Sequence, residues 1–251
     1  MHSKYYRLAD ICFRLESEME LEEAQDLALF AVSQRKAHVS VRIFFAEDEQ
    51  ETPDCCGYAR MEQEPDRITL RINRKKIPAP SDWQGFTMMP LDGILLAHDT
   101  LAFHTSFVLY QGMAILFSGP SGIGKSTQAA LWENCRDAEV INGDRALIYF
   151  KNGSPWAAGY YKSGSSGVCR NETAPIAAIV LLDQGQENMV TVPRGLEAFR
   201  RIVSQCAYDP QNRRQLEQVT GLAAELLKTV KVLHFTCRKD QSAVTELEKY
   251  L

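Results

Sequence analysis

The chain has 251 residues, of which 45% are hydrophobic and 24% charged, and its formal net charge is −4. That composition is typical of a water-soluble globular protein with one large domain or two small ones. A pI near 5.8 excludes a global basic surface for nucleic acid or an anionic membrane. No apolar stretch approaches the roughly 20 residues of a membrane span.

The amino-terminal residues and the cysteines favour a cytoplasmic protein. The amino terminus lacks the apolar core of a signal peptide. The seven cysteines are an odd number without metal-ligand spacing, which favours reduced thiols in a cytoplasmic protein. A metal or redox role for the adjacent pair Cys55–Cys56 is the less favoured alternative, because no CxxC motif or nearby histidine supports it.

Residues 1–93 are predicted to form a small β-rich lobe. Strands are expected at Tyr5–Leu15, Val39–Phe45 and Arg67–Ile72, where apolar and polar residues alternate. The acidic stretch Ala46–Asp54 predicts an exposed loop, and the prolines of Lys76–Gly85 predict a linker or a long turn. A docking role for this lobe, holding a substrate for the rest of the chain, is one hypothesis.

Residues 94–251 predict an α/β domain with a mixed sheet. The predicted strands are Ile94–Ala97, Phe107–Tyr110, Met113–Phe117, Ala138–Ile141, Leu147–Phe150, Ile176–Leu182 and Lys231–Phe235. The run Ile176–Leu182 is continuously apolar, as in a strand buried on both faces. Helices are expected at Ser126–Trp132, Gly195–Tyr208, Arg213–Val230 and Gln241–Leu251, with Asp240 as the N-cap of the last helix.

Residues 119–127 match the P-loop pattern G-x-x-x-x-G-K-[ST] completely. The glycines let backbone N–H groups approach phosphate oxygens, Lys125 reaches the terminal phosphates, and the Ser126 hydroxyl can ligate Mg²⁺. An apolar strand precedes the loop and a helix follows it, which is the context that the motif requires. The predicted nucleotide-binding residues are Gly119, Ser121, Gly122, Ile123, Gly124, Lys125, Ser126 and Thr127. Ser121 and Ile123 are expected to supply backbone amides, while Thr127 either donates to the α-phosphate or lies on the helix surface.

A second candidate site residue is Asp144, which follows the apolar segment Val140–Ile141. A carboxylate near the end of such a strand is typical of the Mg²⁺ side of P-loop proteins. Asp144 comes only 19 residues after Lys125, a short spacing that is familiar from kinases. The alternative is that Asp144 only begins a Gly-Asp turn.

With these motifs the chain resembles the HPr kinase/phosphorylase family. The resemblance covers roughly residues 94–185 and depends on the P-loop, on the pair Asp144–Arg145, and on His104. Family members carry an active-site histidine on the strand before the P-loop strand, and His104 lies at the matching place, fifteen residues before Gly119. On its residues alone, His104 could equally be a strand histidine hydrogen-bonded to a neighbour.

The resemblance implies a mixed-sheet P-loop domain of the phosphoenolpyruvate carboxykinase/HPr kinase type. It implies an ATP- and Mg²⁺-dependent kinase whose acceptor is a serine hydroxyl on a small protein or peptide. Its catalytic residues are then His104, Lys125 and Asp144, with Ser126 and Asp144 holding the metal. Neither nucleic acid nor a membrane is an expected partner, and the sequence is compatible with a homo-oligomer.

Two departures from the family limit this interpretation. Family enzymes carry two adjacent aspartates before the arginine, and this chain has Gly143 in place of the first. No counterpart of the family's second signature segment is found either. These departures favour kinase activity over the reverse, phosphorylase reaction. They leave the identity of the general base open.

The segment 159–172 is a further candidate, because it is rich in glycine and serine and contains Lys162 and Arg170. It predicts either a phosphate-facing flap or an ordinary surface loop. Solvated helix faces are predicted for Arg200, Arg201, Arg213 and Arg214, and packing roles for Trp132 and Trp156.

Two other functions stay open at this level. The first is a P-loop kinase that phosphorylates a small metabolite, and the second is a non-catalytic nucleotide-binding regulatory module, for which Gly143 is the reason. The identity of the acceptor, a donor other than ATP and the oligomeric state do not follow from the sequence.

Overall fold

The computed structural model of the protein describes residues 1–33, 36–47 and 58–251. The pair Cys55–Cys56 and most of the predicted loop Ala46–Asp54 lie outside the described residues. Contacts within the chain divide it into two compact units, Met1–Leu91 and Asp92–Leu251.

The unit Met1–Leu91 contains a five-stranded mixed sheet in the spatial order β1-β2-β3-β5-β4. Its strands are β1 (His2–Leu8), β2 (Ile11–Ser17), β3 (Val39–Ala46), β4 (Ala59–Glu64) and β5 (Arg67–Asn73). The prediction of a single strand over Tyr5–Leu15 is wrong. The backbone turns at Ala9, which has a φ of 52°, so that β1 and β2 pair antiparallel.

Two short helices belong to the same unit, α1 (Gln25–Ala28) and α2 (Asp82–Thr87). The prediction of a linker or a long turn over Lys76–Gly85 is therefore only partly right, since α2 (Asp82–Thr87) begins inside it. Its signal is a capping box, in which the side chain of Gln84 accepts a hydrogen bond of 2.7 Å from the Ser81 backbone N–H.

The unit Asp92–Leu251 contains an eight-stranded mixed sheet in the spatial order β10-β9-β6-β7-β11-β13-β12, with β8 paired to β6. The strands are β6 (Leu101–Tyr110), β7 (Met113–Ser118), β8 (Glu139–Asn142), β9 (Arg145–Lys151), β10 (Ser154–Ala158), β11 (Thr173–Gln184), β12 (Met189–Thr191) and β13 (Lys231–Cys237). Strand β11 lies parallel to both β7 and β13, so these three strands end at the same edge of the sheet.

Helices cover both faces of this sheet. They are α3 (Leu91–Ala97), α4 (Lys125–Arg136), α5 (Gly195–Val203), α6 (Arg213–Thr229) and α7 (Gln241–Glu248). Residues such as Ile179 and Leu181 of β11 belong to the core with α5 and α6, whereas Val180 and Leu182 belong to the core with α4 and α7. Alternate side chains of one strand thus fill two cores, which explains why the segment is continuously apolar.

Side-chain contacts confirm two smaller predictions. Trp132 is fully buried and lies edge-on against Tyr110, with ring centroids 5.1 Å apart. Asp240 caps α7, because its carboxylate accepts a hydrogen bond of 3.0 Å from the Ser242 backbone N–H.

Two predictions in this unit are wrong, and the second bears on the site. Ile94–Ala97 belongs to helix α3 and not to a strand, because four apolar residues alone do not distinguish the two. The helix predicted over Gly195–Tyr208 ends at Val203. The chain beyond it turns and then pairs with β6, since His104 N–H donates to Gln205 O and Ala207 N–H donates to Ala102 O, both at 2.8 Å.

Within the described residues, no helix combines the length and the apolar character that crossing a bilayer requires.

Candidate active site

The loop between β7 and α4 follows the last residue of a central strand. Strand β7 ends at Ser118, and α4 begins at Lys125. Gly122 and Gly124 have φ values of 78° and 114°, conformations that side chains other than glycine rarely adopt, and a Cβ at either position would meet no atom within 4 Å. Glycine is therefore required here for the backbone conformation and not for lack of space.

The loop forms one wall of a cavity of about 240 Å³. Its lining includes most of the predicted residues, namely His104, Ser121, Gly122, Gly124, Lys125, Ser126, Thr127 and Asp144. Two of the predicted nucleotide-binding residues, Gly119 and Ile123, do not line the cavity. Ile123 packs against the core beneath α4, and the Gly119 carbonyl accepts a hydrogen bond from Lys125.

Lys125 is folded back onto its own loop. Its side chain is largely buried, and Nζ donates to the carbonyl oxygens of Gly119 at 2.9 Å and Pro120 at 3.2 Å. Burial lowers the pKa of Lys125, and the charge of Asp144 acts in the opposite direction. The lysine is thus held at the cavity by carbonyl groups that a phosphate oxygen could replace.

The antiparallel pairing of β6 with β9 brings His104 beside Arg145, directly after Asp144. The His104 Nε2 lies 3.5 Å from the Asp144 Oδ1, and the Arg145 Nε lies 3.5 Å from the Asp144 Oδ2. On the other side of the ring, Nδ1 lies 3.1 Å from the Gln205 Oε1. With the Gln205 amide oxygen facing Nδ1, the tautomer that carries its hydrogen on Nδ1 completes this hydrogen bond and leaves Nε2, which faces Asp144, able to take up a proton.

The environment of His104 favours the neutral ring. Burial lowers its pKa most, the charge of Lys125 lowers it further, and Asp144 and Gln205 offset part of this effect. A neutral imidazole at pH 7 is the form that can accept a proton.

The contribution of Lys125 can be measured directly. We predict that Lys125→Met raises the pKa of His104, because the variant removes a positive charge that disfavours the imidazolium. An NMR titration of the His104 imidazole, assigned with His104→Gln, measures the shift. Lys228→Met, on the exposed face of α6, is the control and should leave the titration unchanged, whereas an unchanged or lowered value in Lys125→Met would contradict the electrostatic argument.

Asn142 is a site residue that the sequence reasoning missed. It is fully buried at the end of β8, where its Oδ1 accepts from the backbone N–H groups of Asp144 at 2.8 Å and Arg145 at 2.9 Å. Its Nδ2 donates to the carbonyl oxygens of Tyr160 at 2.7 Å and Lys162 at 3.2 Å. One amide thus fixes both the turn that carries Asp144 and the start of the segment 159–172.

That segment contributes two serines to the lining of the cavity, and its two cations make contacts outside it. Ser165 and Ser166 line the cavity from a short 3₁₀ turn. Arg170 forms an ion pair with Glu139, and Lys162 lies over the rings of Tyr160 and Tyr161. The prediction that Lys162 and Arg170 face a transferred phosphate is not met in this conformation.

The turn also accounts for Gly143. A Cβ at this position would overlap the side chain of Ser166, and a Cβ at Gly164 would lie 2.6 Å from Cγ of Asp144. Ser166 therefore occupies the space beside position 143 into which an aspartate side chain would have to extend.

We predict that Gly143→Ala lowers the free energy of unfolding by about 1–3 kcal/mol, because the added methyl displaces the turn. Ser166→Gly removes the side-chain atoms that the added methyl group would meet. The double variant Gly143→Ala/Ser166→Gly should therefore recover more than about 1 kcal/mol of that loss. Urea unfolding of wild type, both single variants and the double variant measures the coupling. Additive effects would show that the two positions do not compete for the same space.

Two further contacts beside the loop were not predicted. The Gln184 Nε2 donates to the carbonyl oxygens of Gly122 at 3.1 Å and Ile123 at 3.2 Å. Arg201 was expected on a solvated helix face, but it is half-buried and donates to Asp183 at 3.1 Å and to the Leu182 carbonyl at 2.8 Å. Both Asp183 and Gln184 follow a buried apolar run, which is the same signal that selected Asp144.

Comparisons with known proteins add little to this site. No family model and no curated protein match the chain. Among solved structures, the Hpr(Ser) kinase/phosphatase from Coxiella burnetii is similar over 51% of this chain and 91% of its own, with 14% sequence identity and a TM-score of 0.27. A similarity of this size records a distant structural relationship and carries no argument about activity.

Proposed function

We propose that this protein is an ATP-dependent kinase that transfers the γ-phosphate to a hydroxyl group, that of a serine in a small protein or peptide. In this proposal the unit Asp92–Leu251 is the catalytic domain, with a P-loop fold of the phosphoenolpyruvate carboxykinase/HPr kinase type. One observation carries the proposal: the P-loop cavity and a second cavity both include His104 and Asp144 in their walls. A donor phosphate on one side and an acceptor hydroxyl on the other would then meet at these two side chains.

The second cavity has a volume of about 230 Å³. Its walls come from Ala102, His104, Asp144, Arg145 and the segment 204–207. This volume suits one side chain or a small molecule and not a whole folded protein, so a protein acceptor would insert a single residue. Arg145 gives the cavity a positive charge beside the reacting hydroxyl.

The P-loop residues fit the phosphates of a nucleotide. Gly122 and Gly124 keep the backbone open, Lys125 reaches the phosphates by exchanging carbonyl partners for phosphate oxygens, and Ser126 and Asp144 supply oxygen ligands for Mg²⁺. Among the described residues no group of three or more His, Cys, Asp or Glu side chains could hold a metal ion. Mg²⁺ bound to a nucleotide takes only one or two protein ligands, and when bound it neutralises charge on the phosphates.

Phosphoryl transfer then needs a proton acceptor and correct positioning. The acceptor oxygen forms a bond to the γ-phosphorus while the bond from that phosphorus to the β,γ-bridging oxygen breaks and ADP leaves. His104 Nε2 accepts the hydroxyl proton, and Asp144 stabilises the resulting imidazolium at 3.5 Å. Because the pair His104–Asp144 supplies the base, this mechanism does not require an aspartate at position 143.

Two parts of the proposal concern the surroundings of the reaction. The unit Met1–Leu91 is proposed to help dock the acceptor protein. The cytoplasm is the proposed compartment, because the five described cysteines, Cys12, Cys135, Cys169, Cys206 and Cys237, are free thiols.

A small-metabolite acceptor is the second candidate, and the limited volume of the second cavity is the observation that favours it. The discriminating experiment offers Mg²⁺ and [γ-³²P]ATP with either a library of serine-containing peptides or a set of free small alcohols. We expect label on serine peptides; label on alcohols alone would establish the metabolite kinase instead.

Asp144→Asn should abolish the labelling, whereas Asp137→Asn, at the exposed end of α4, should preserve it. ATP binding without labelling of any acceptor would identify a non-catalytic nucleotide-binding module and overturn the kinase proposal.

A further inference from the structure

We infer that the nucleoside half of the phosphate donor binds in a groove on the side of the P-loop that faces away from His104. The groove is formed where β11 and β13 end. This inference rests on the proposed nucleotide site and adds a location and a set of residues to it. The groove has a volume of about 480 Å³ and is lined by Gln184, Gly185, Gln186, Cys237, Arg238, Lys239 and Asp240. Volumes between roughly 300 and 1,000 Å³ are usual for sites that hold small molecules.

The order of strands gives the direction of the bound nucleotide. The sheet runs β6-β7-β11-β13, the P-loop follows β7, and His104 lies on β6. The reacting end of the phosphate chain therefore faces β6, and the other end must leave toward β11 and β13. Ligands of open α/β sheets bind along the carboxyl ends of the parallel strands, and that edge is where the groove lies.

One side chain joins the groove to the P-loop. Gln184 lines the groove, and its amide donates to the carbonyl oxygens of Gly122 and Ile123. A wall residue of the groove is thus hydrogen-bonded to the backbone of the loop that lines the phosphate cavity. The next residue, Gly185, packs closely on β13, since a Cβ there would overlap the side chain of Thr236.

The lining has the chemistry that a base and a ribose require. Arg238 and Lys239 are both exposed, and the Arg238 Nε pairs with the Asp240 Oδ2 at 2.9 Å, which orients the guanidinium. The Arg238 backbone N–H is also fixed, because it donates to the Asn188 Oδ1 at 2.9 Å. A planar guanidinium stacks on an aromatic base, and Gln186 and Lys239 can donate to ring and ribose oxygens and nitrogens.

The test compares two ligands that share phosphates and differ in the nucleoside. Binding of Mg·AMP-PNP and of Mg·tripolyphosphate is measured by calorimetry at physiological ionic strength, which screens long-range charge. The double variant Arg238→Ala/Lys239→Ala should bind AMP-PNP about tenfold more weakly and tripolyphosphate within about twofold of wild type. The control Arg213→Ala/Lys228→Ala removes two exposed cations from α6 and should change neither affinity.

Unchanged AMP-PNP binding in the double variant, or an equal loss for both ligands, would overturn the inference. The kinase proposal would stand in either case as long as Lys125→Met still weakened the binding of both ligands. Photolabelling of wild-type protein with 8-azido-ATP provides a measurement that needs no variant. We expect the label on residues 184–186 or 237–240, and a label confined to other segments would also overturn the inference.

Discussion

Replacement of Lys125 with methionine is expected to lower the rate of γ-phosphate transfer by about 10³-fold. In the proposed mechanism Lys125 stabilises the negative charge that spreads over the transferring phosphoryl group, and removal of one such donor typically lowers kcat by about 10²–10³-fold or more. The protein should stay folded, because methionine fills the space of the aliphatic stem and no longer buries a charge beside the carbonyl groups of Gly119 and Pro120.

The measurement is the steady-state rate of transfer to whichever serine peptide the wild-type protein labels. Lys228→Met, which removes an exposed ammonium group from α6, is the matched control. Transfer by Lys125→Met at the wild-type rate would show that the P-loop does not carry the reaction.

Replacement of Asn142 should have the largest effect on stability. Asn142→Ala removes four hydrogen bonds of a fully buried amide, two to the backbone of residues 144 and 145 and two to carbonyl oxygens of residues 160 and 162. At about 1 kcal/mol for each bond, we expect a loss of about 3–4 kcal/mol in the free energy of unfolding. Phosphoryl transfer should fall as well, because the positions of Asp144 and of the serine turn are no longer fixed.

Asn142→Asp is the isosteric partner variant and adds a dependence on pH. It keeps the acceptor oxygen for residues 144 and 145 but places a second carboxylate oxygen against two carbonyl oxygens. Burial raises the pKa of that aspartate above its unfolded value of about 3.9, so stability falls as the pH rises from about 3.9 to the raised pKa, and the loss is complete above the raised pKa. The loss relative to wild type should be complete at pH 8 and should shrink as the pH falls toward about 4.

Urea unfolding of wild type and both variants at pH 8 and at pH 5 measures these differences. An Asn142→Asp protein as stable as wild type at pH 8 would contradict the assignment of the Asn142 amide hydrogens.

The sequence predicted those parts of the site that depend on local pattern. The P-loop is a contiguous motif between a strand and a helix, and β7, α4 and the buried strand β11 lie close to where periodicity placed them. His104 and Asp144 do lie within 3.5 Å of each other, although their proposed roles are untested. Without the family resemblance, the residues alone did not decide whether His104 and Asp144 have catalytic or structural roles.

The parts that were missed depend on long-range pairing. Asn142 owes its position to carbonyl groups eighteen and twenty residues away, which no local pattern reports. After Val203 the chain turns and pairs with β6, and this pairing overrides the helical periodicity of Gly195–Tyr208. The clash between position 143 and Ser166 likewise depends on a turn that is distant in the chain.

The most direct test of the central claim asks whether a metal–nucleotide complex lies between the P-loop and the pair His104–Asp144. Mn²⁺ replaces Mg²⁺ in complex with AMP-PNP, and NMR follows the imidazole resonances of His104, assigned with His104→Gln. We predict that Mn·AMP-PNP strongly broadens the His104 resonances, that Mn²⁺ alone at the same concentration broadens them far less, and that Lys125→Met weakens the effect. His104 resonances that stay sharp when Mn·AMP-PNP saturates the wild-type protein would contradict the proposed active site.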